Sequence, residues 1–281
     1  MKIVFFTHPA FQSHQSMPRF AAMLGDGMLE RGHQVAYWSP KARFFALPVP
    51  ASIKKWMGYV DQYVAFPMAV RLRMLRCSTD TLFVFTDHAL GPWIPLAANR
   101  PHAIHCHDFL AQRSALGEIE QNKTSWSGRK YQEYIFNGYS KGKNFISVSE
   151  KTRQDLEHFL PAKPHRSDMV YNGLNQTFVP VPIEQARLAL SEAIGMDVSR
   201  GYILHVGGNQ WYKNRKGVIE IYTAWRSLTA SQTLPLLLVG YKPDADLQDF
   251  YEASPFKKDI YLLTDLSDER VRMAYAGASV F

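Results

Sequence analysis

The chain has 281 residues, 46% hydrophobic and 20% charged, the balance of a globular protein with enough core for two domains or one large one. Lysine and arginine exceed aspartate and glutamate by 32 to 25, a modest net +7 with no nucleic-acid motif beside it, so nucleic acid is not an expected partner. The two cysteines, Cys77 and Cys106, lack metal-ligand spacing, which argues against a disulfide scaffold and fits a reducing cytoplasm.

Lys2–Phe6 predicts a first strand. The apolar run behind Met1 breaks at His8-Pro9, too early for the core of a signal peptide. No apolar stretch nears the ~20 residues that span a bilayer, so a cytoplasmic location is expected. The loop THPAFQSHQSMP over 7–18 leads into a helix with Ser16 as its N-cap and Pro18 just inside. In a Rossmann-like domain such a loop overhangs the binding edge. Ser13, His14 and Gln15 offer it hydroxyl, imidazole and amide groups for an acceptor sugar or a phosphate. A polar N-capping loop is the other reading.

Gln34–Trp38 predicts the second strand. Between 41 and 76, Lys54, Lys55, Arg71, Arg73 and Arg76 interleave with Phe44, Phe45, Trp56, Met57, Tyr59 and Tyr63. Basic aromatic helices of this kind either lie on a membrane surface or pack on a sheet with a solvated basic face. Residues 82–86, 103–106 and 144–148 read as buried strands. Ser149 opens a helix over Glu150–Phe159, and 168–171 forms a last strand before the turn Asn172-Gly173. Strand alternation assigns His105 to packing. Asp108 is either an N-cap or an acceptor ligand.

The proline-rich stretch 178–182 reads as a stiff connection, dividing the chain into domains 1–176 and 177–281. Strands are expected again at 202–206, 236–239, 260–263 and 278–281, with helices from about Asn214 and behind the cap Ser267. Strand–helix alternation implies parallel sheets with right-handed crossovers. The expected class is α/β, two Rossmann-like domains with parallel sheets facing a cleft. About four strands follow the connection where a doubly wound sheet has about six, so the second domain is expected to be incomplete.

The most informative segment is GYILHVGGNQWYKNRKG, over 201–217. An apolar run ends on Gly207 and Gly208, a polar loop with Asn209 follows, and Lys213 and Arg215 open a helical pattern. Such a junction turns backbone N–H groups and the positive helix end toward the strand's carboxyl edge. Lysine and arginine add mobile and forked cationic donors that suit a diphosphate.

Taken in order, ISVSEKTRQDL, VYNGLNQTF, ILHVGGNQWYKNRKGV, LLLVG and IYLLTDLSDERVRMAYAGASVF resemble the retaining GT-B glycosyltransferases of family four. The resemblance covers most of the chain from about Phe145 onward, and AIHCHDFLAQRSALGEI is looser. It implies a nucleotide-diphosphate sugar donor held by the C-terminal domain through Gly207, Gly208, Asn209, Lys213 and Arg215. It further implies a glycan or lipid-linked acceptor held by the N-terminal domain, and transfer of a hexosyl group with retention. Lys213 stands at the family's diphosphate lysine. Gly208 replaces an arginine that many members carry, and Arg215 is the candidate to supply that contact. His107 matches the histidine beside the transferred sugar. No metal or other cofactor is implied. The family's glutamate segment would lie past Phe281, so a C-terminally truncated transferase is expected. A non-catalytic protein that binds nucleotide sugar or glycan, or an inactive fragment, is the alternative.

Overall fold

The computed structural model describes residues 1–12, 16–173, 179–229 and 234–281. Two compact units divide after Gly173. The first is built on six parallel strands: β1 (Lys2–Phe6), β2 (Gln34–Trp38), β3 (Leu82–Phe85), β4 (His102–Cys106), β5 (Asn144–Ser147) and β6 (Arg166–Met169). Their spatial order is β2-β1-β3-β4-β5-β6, so the chain reverses its direction across the sheet between β1 and β3. Alternation along the central strands feeds two cores. Val4, Phe6, Phe83, Phe85, Ile104 and Cys106 face one side, and Ile3, Phe5 and Val84 face the other. Strands apolar on both faces must be covered on both faces, as parallel sheets are.

The helices are α1 (Ser16–Glu30), α2 (Ala51–Val60), α3 (Phe66–Met74), α4 (Leu110–Ala115), α5 (Trp126–Tyr139) and α6 (Glu150–Phe159). A π-helical turn over Asp61–Ala65 joins α2 to α3 without a break. Asp61 explains how that turn is held. Its buried carboxylate accepts the backbone N–H groups of Arg43, Phe44 and Phe45 at 3.1, 3.1 and 2.8 Å. Ser149 caps α6 as expected, accepting the Thr152 N–H at 3.1 Å.

The second unit is smaller. Its sheet runs β7 (Ile203–Val206), β8 (Leu236–Gly240) and β9 (Ile260–Thr264), all parallel. Helices α7 (Ile183–Ile194) and α10 (Asp268–Gly277) cover one face through Leu190, Leu204, Leu237 and Ala274. Helices α8 (Arg215–Leu228) and α9 (Ala245–Glu252) cover the other through Ile219, Leu236, Leu238 and Leu247.

Two expectations shift. The strand expected at 168–171 lies at Arg166–Met169, because β5 sets its register and its residues RSDM carry no apolar signature. The strand expected at 278–281 reduces to one bridge, Val280 on Ile203, where the Leu204 N–H meets the Val280 carbonyl at 2.8 Å.

Two glycines allow α5 to approach the 3₁₀ segment His88–Leu96 closely. A methyl group on Gly138 in α5 would lie 2.1 Å from the Gly91 carbonyl oxygen, and one on Gly91 would lie 2.2 Å from that of Ile135. Both obstacles are backbone and cannot rotate away. Gly138→Ala should therefore destabilise the protein by about 1–3 kcal/mol, even though alanine favours helix. A thermal melt reads this directly, and an unchanged midpoint would mean that the two segments separate at no cost.

Candidate functional site

In an open α/β sheet, ligands bind at the carboxyl ends of strands where the strand order reverses. In the first unit that point lies between β1 and β3. His8 follows β1 and Asp87 follows β3, and His8 Nε2 reaches Asp87 Oδ2 at 3.0 Å. Asp87 Oδ1 also accepts the Ala89 N–H at 2.9 Å, and His88 Nδ1 lies 3.1 Å from it. Burial alone would raise the pKa of Asp87. The His8 and His88 imidazoles hold it well below the usual carboxylate range, so the group stays charged.

A cavity of about 310 Å³ opens beside this pair, lined among others by His8, Gln12, Tyr63, Asp87, Trp93 and Tyr131. Its walls are tied together. Gln12 Nε2 donates to Gln62 Oε1 at 3.0 Å, and Trp93 Nε1 donates to the Gln62 carbonyl at 2.9 Å. The hydroxyls of Tyr63 and Tyr131 lie 2.7 Å apart. No lysine or arginine is among the described residues that line the cavity. Aromatic faces beside planar amides and one carboxylate suit a neutral polyhydroxyl ring better than a phosphate. The sequence reading missed this cavity, although His8 and Asp87 at two strand ends were its available signal.

His107 lies just past β4 and is half-buried. Its Nε2 donates to the Thr86 carbonyl at 2.9 Å, and its ring meets Phe20 edge-on at 4.6 Å. A donor at Nε2 leaves the lone pair on Nδ1, so the neutral ring can only accept there. Asp108 is exposed and accepts the Leu110 N–H at 3.0 Å, a local turn bond. Ser13, His14 and Gln15 lie outside the described residues.

In the second unit the glycine junction forms as its residues require. The Gly207 N–H donates to the Val239 carbonyl at 2.9 Å. A methyl group on Gly240 would lie 1.9 Å from the Gly207 carbonyl oxygen, and one on Gly208 would lie 2.8 Å from the Tyr241 ring. Asn214 takes a left-handed φ of 44° and caps α8 by accepting the Gly217 N–H at 3.3 Å. Lys213 ends a 3₁₀ turn and is exposed.

Arg215 is 4% exposed. Its Nη1 donates to Asn209 Oδ1 at 2.7 Å and to the Tyr241 carbonyl at 2.9 Å. Its Nε and Nη2 are buried with no partner, as is His205 Nε2 nearby. Burial pulls the guanidinium pKa down against the opposite pull of Asp244, but arginine remains a cation. Burial, Arg215 and Lys213 together lower the pKa of His205. The structure thus brings Gly207, Gly208, Asn209, Lys213 and Arg215 into one loop, with unpaired cationic donors at its base. Among the described residues no cluster of His, Cys, Asp and Glu could hold a metal ion.

His105 packs against Phe20 at 5.1 Å between ring centres. Burial, with His107 beside it, lowers its pKa from 6.5 to about 4. The unfolded chain therefore binds the extra proton between pH 6.5 and about 4. Stability from this group is full above pH 6.5 and is lost as pH falls toward 4, by about 3 kcal/mol in all. In urea unfolding at several pH values, His105→Phe should remove that slope. A slope that persists would assign it to another group.

No curated protein sequence matches the chain at a significant level. Among solved structures, WaaG, a glycosyltransferase involved in lipopolysaccharide biosynthesis, superposes with a TM-score of 0.63 at 13% identity, covering 98% of this chain and 73% of its own. OtsA gives 0.63 at 10% identity, covering 98% and 76%. The catalytic domain of starch synthase IV from Arabidopsis thaliana, bound to ADP and acarbose, gives 0.61 at 14%, covering 99% and 77%. These likenesses support the GT-B fold. The model of Glycosyltransferase Family 4 matches residues 17–178, more than half of the sequence and nearly all of it in the first unit. The chain belongs to Glycosyltransferase Family 4 and is a glycosyltransferase.

Proposed function

We propose that the chain transfers a hexosyl group, with retention, from a nucleotide-diphosphate sugar to a glycan or lipid-linked acceptor on the cytoplasmic side of a membrane. The observation that carries the donor half is Arg215, a guanidinium nearly sealed from water with two donors unpartnered. An unpaired buried charge costs several kcal/mol, and an anion at the glycine loop removes that cost. A diphosphate brings charge and several acceptor oxygens, which the loop N–H groups, Lys213 and Arg215 together can meet. The starch synthase IV structure holds ADP, another nucleoside diphosphate.

The acceptor half rests on the cavity at the β1/β3 reversal, with its aromatic and amide lining. In the proposed step the bond from the sugar's anomeric carbon to the leaving phosphate oxygen breaks. The acceptor oxygen bonds to that carbon on the same face, and its proton passes to the departing diphosphate. Lys213 stabilises the developing charge. His107 Nδ1 accepts a hydrogen bond from a sugar hydroxyl.

Calorimetric titration of the 281-residue chain with uridine, guanosine, adenosine and thymidine diphosphate sugars tests the donor half. Binding of one of these is expected. Lys213→Ala should lower transfer at least about tenfold, as the loss of a charge-assisted contact worth ~1.5–3 kcal/mol implies. His107→Ala should cut transfer by a similar factor while moving the melting midpoint by less than about 2 °C. The anomeric configuration of the product, read by NMR, should equal that of the donor. Inversion would overturn the stereochemistry, and tight binding without turnover on any glycan would favour a non-catalytic binding protein.

A further inference from the structure

The segment from Ala51 to Met74 is a single helical rod made of α2, the π turn and α3. Gly58, Gln62, Phe66 and Val70 recur every four residues and are buried. A second series, offset from them by two residues, therefore falls on the opposite side. That side is apolar too. Trp56 is 64% exposed, Val64 54%, Met68 60% and Leu72 68%, with Ile53 and Leu75 extending the stripe at 43% and 83%. From Ile53 to Leu75 the stripe runs ~33 Å at the helical rise. A helix apolar on both sides is ordinarily buried on both, and the described residues cover only one.

The charges around the stripe have one sign. Between 41 and 76 the chain carries seven lysines and arginines and a single acid, Asp61. Asp61 is 1% exposed and is consumed by three backbone N–H groups, so it offers nothing to a partner. Some of the basic side chains lie over aromatic rings. Lys55 Nζ is 5.7 Å from the Tyr59 ring centre, and the Arg73 guanidinium is 5.6 Å from that of Trp38. Long basic stems over aromatic rings at an apolar face are how a helix lies in a headgroup layer.

We infer that this rod seats on an anionic lipid bilayer, with Trp56, Met68 and Leu72 entering the acyl boundary and Lys55, Arg71, Arg73 and Arg76 meeting lipid phosphates. Charge complementarity selects the occupant. A second copy of the chain would place two all-basic rims against each other, which repel. No helix among the described residues is long and apolar enough to cross a membrane, so the contact is a surface one. The rod's other residues Tyr59, Gln62 and Tyr63 line the cavity at the β1/β3 reversal. On the reading of that cavity as an acceptor site, the seated rod holds its wall at the bilayer, and the acceptor is lipid-linked. The seating itself does not rest on that reading.

The test is co-sedimentation of the whole chain with vesicles of phosphatidylcholine alone or with 30% phosphatidylglycerol, without any sugar donor. Partitioning onto the anionic vesicles should be at least tenfold the stronger and should fall at least tenfold in 0.5 M salt. Trp56→Ala with Leu72→Ser should weaken it tenfold at all salt concentrations. Lys55→Glu with Arg71→Glu should abolish the preference for phosphatidylglycerol, and Lys258→Glu, in the second unit, should leave binding unchanged. Melting curves separate these effects from unfolding. Equal binding to both vesicles, or a dimer in solution that Trp56→Ala dissolves without any vesicle binding, would overturn the inference. Donor titration fails or succeeds independently of this result.

Discussion

Where both faces of a parallel strand are buried, the side chains that can reach a ligand collect at its ends. That constraint arranges everything chemical in this protein. In the first unit the core residues of β1 and β3 alternate between two apolar layers, and β4 feeds one of them through Ile104 and Cys106. His8, Asp87 and His107 all stand just beyond carboxyl ends, where the helices have not yet closed over the sheet. The second unit repeats the pattern with Gly207 and Gly208 after β7 and Gly240 ending β8. The reversal of strand order between β1 and β3 then decides which strand end opens into a cavity. Neighbouring crossovers there run to opposite sides and leave a gap.

Much of this was legible from residues alone, for a definite physical reason. Buried strands such as Lys2–Phe6 and Leu236–Gly240 are nearly continuous apolar runs between turn signals, and such runs locate themselves. The glycine junction at 201–217 was legible because backbone approach there admits no side chain, as the 1.9 Å meeting of a Gly240 methyl with the Gly207 carbonyl makes plain. The edge strand β6 was misplaced by two residues because its polar sequence carries no period. Of the cavity only His8 and Asp87, at two strand ends, left a trace in the sequence. Its walls come from Gln12, Tyr63 and Tyr131, and the hydrogen-bonded pair Tyr63 and Tyr131 are 68 positions apart. No local pattern marks such a pair. The family resemblance was carried mainly by motifs after Phe145, whereas the family model matches residues 17–178.

The π turn over Asp61–Ala65 links the two main features of the first unit. A π turn has more residues per turn than an α-helix, so it changes which side chains face inward. Here it delivers Gln62 to the interior, where its carbonyl accepts from Trp93 and its side chain bonds Gln12 and Gly58. The same turn buries Asp61 beneath the loop before α2 and so fixes that loop with a charge-assisted set of three N–H bonds. One local departure from α-helical geometry thus secures a cavity wall and removes the only acid from a basic surface.

The two cations of the glycine loop are not equivalent, and their difference follows from their surroundings. Lys213 is exposed on a short 3₁₀ turn, and its flexible stem lets it follow a charge that moves. Arg215 is held by Asn209 and by the Tyr241 carbonyl, so its fork cannot follow anything. A fixed donor aimed at one position needs no reorganisation to act there. A mobile donor must first give up the freedom of its stem to act at one position. Asn209 holds the arginine in place. By bonding both Arg215 and the Lys242 carbonyl at 2.7 Å, it ties the loop after β7 to the loop after β8 and sets where the fixed fork points. A methyl group at Gly208 would meet the Tyr241 ring, so the loop carries no side chain there and the guanidinium beside it comes from Arg215 at the start of α8.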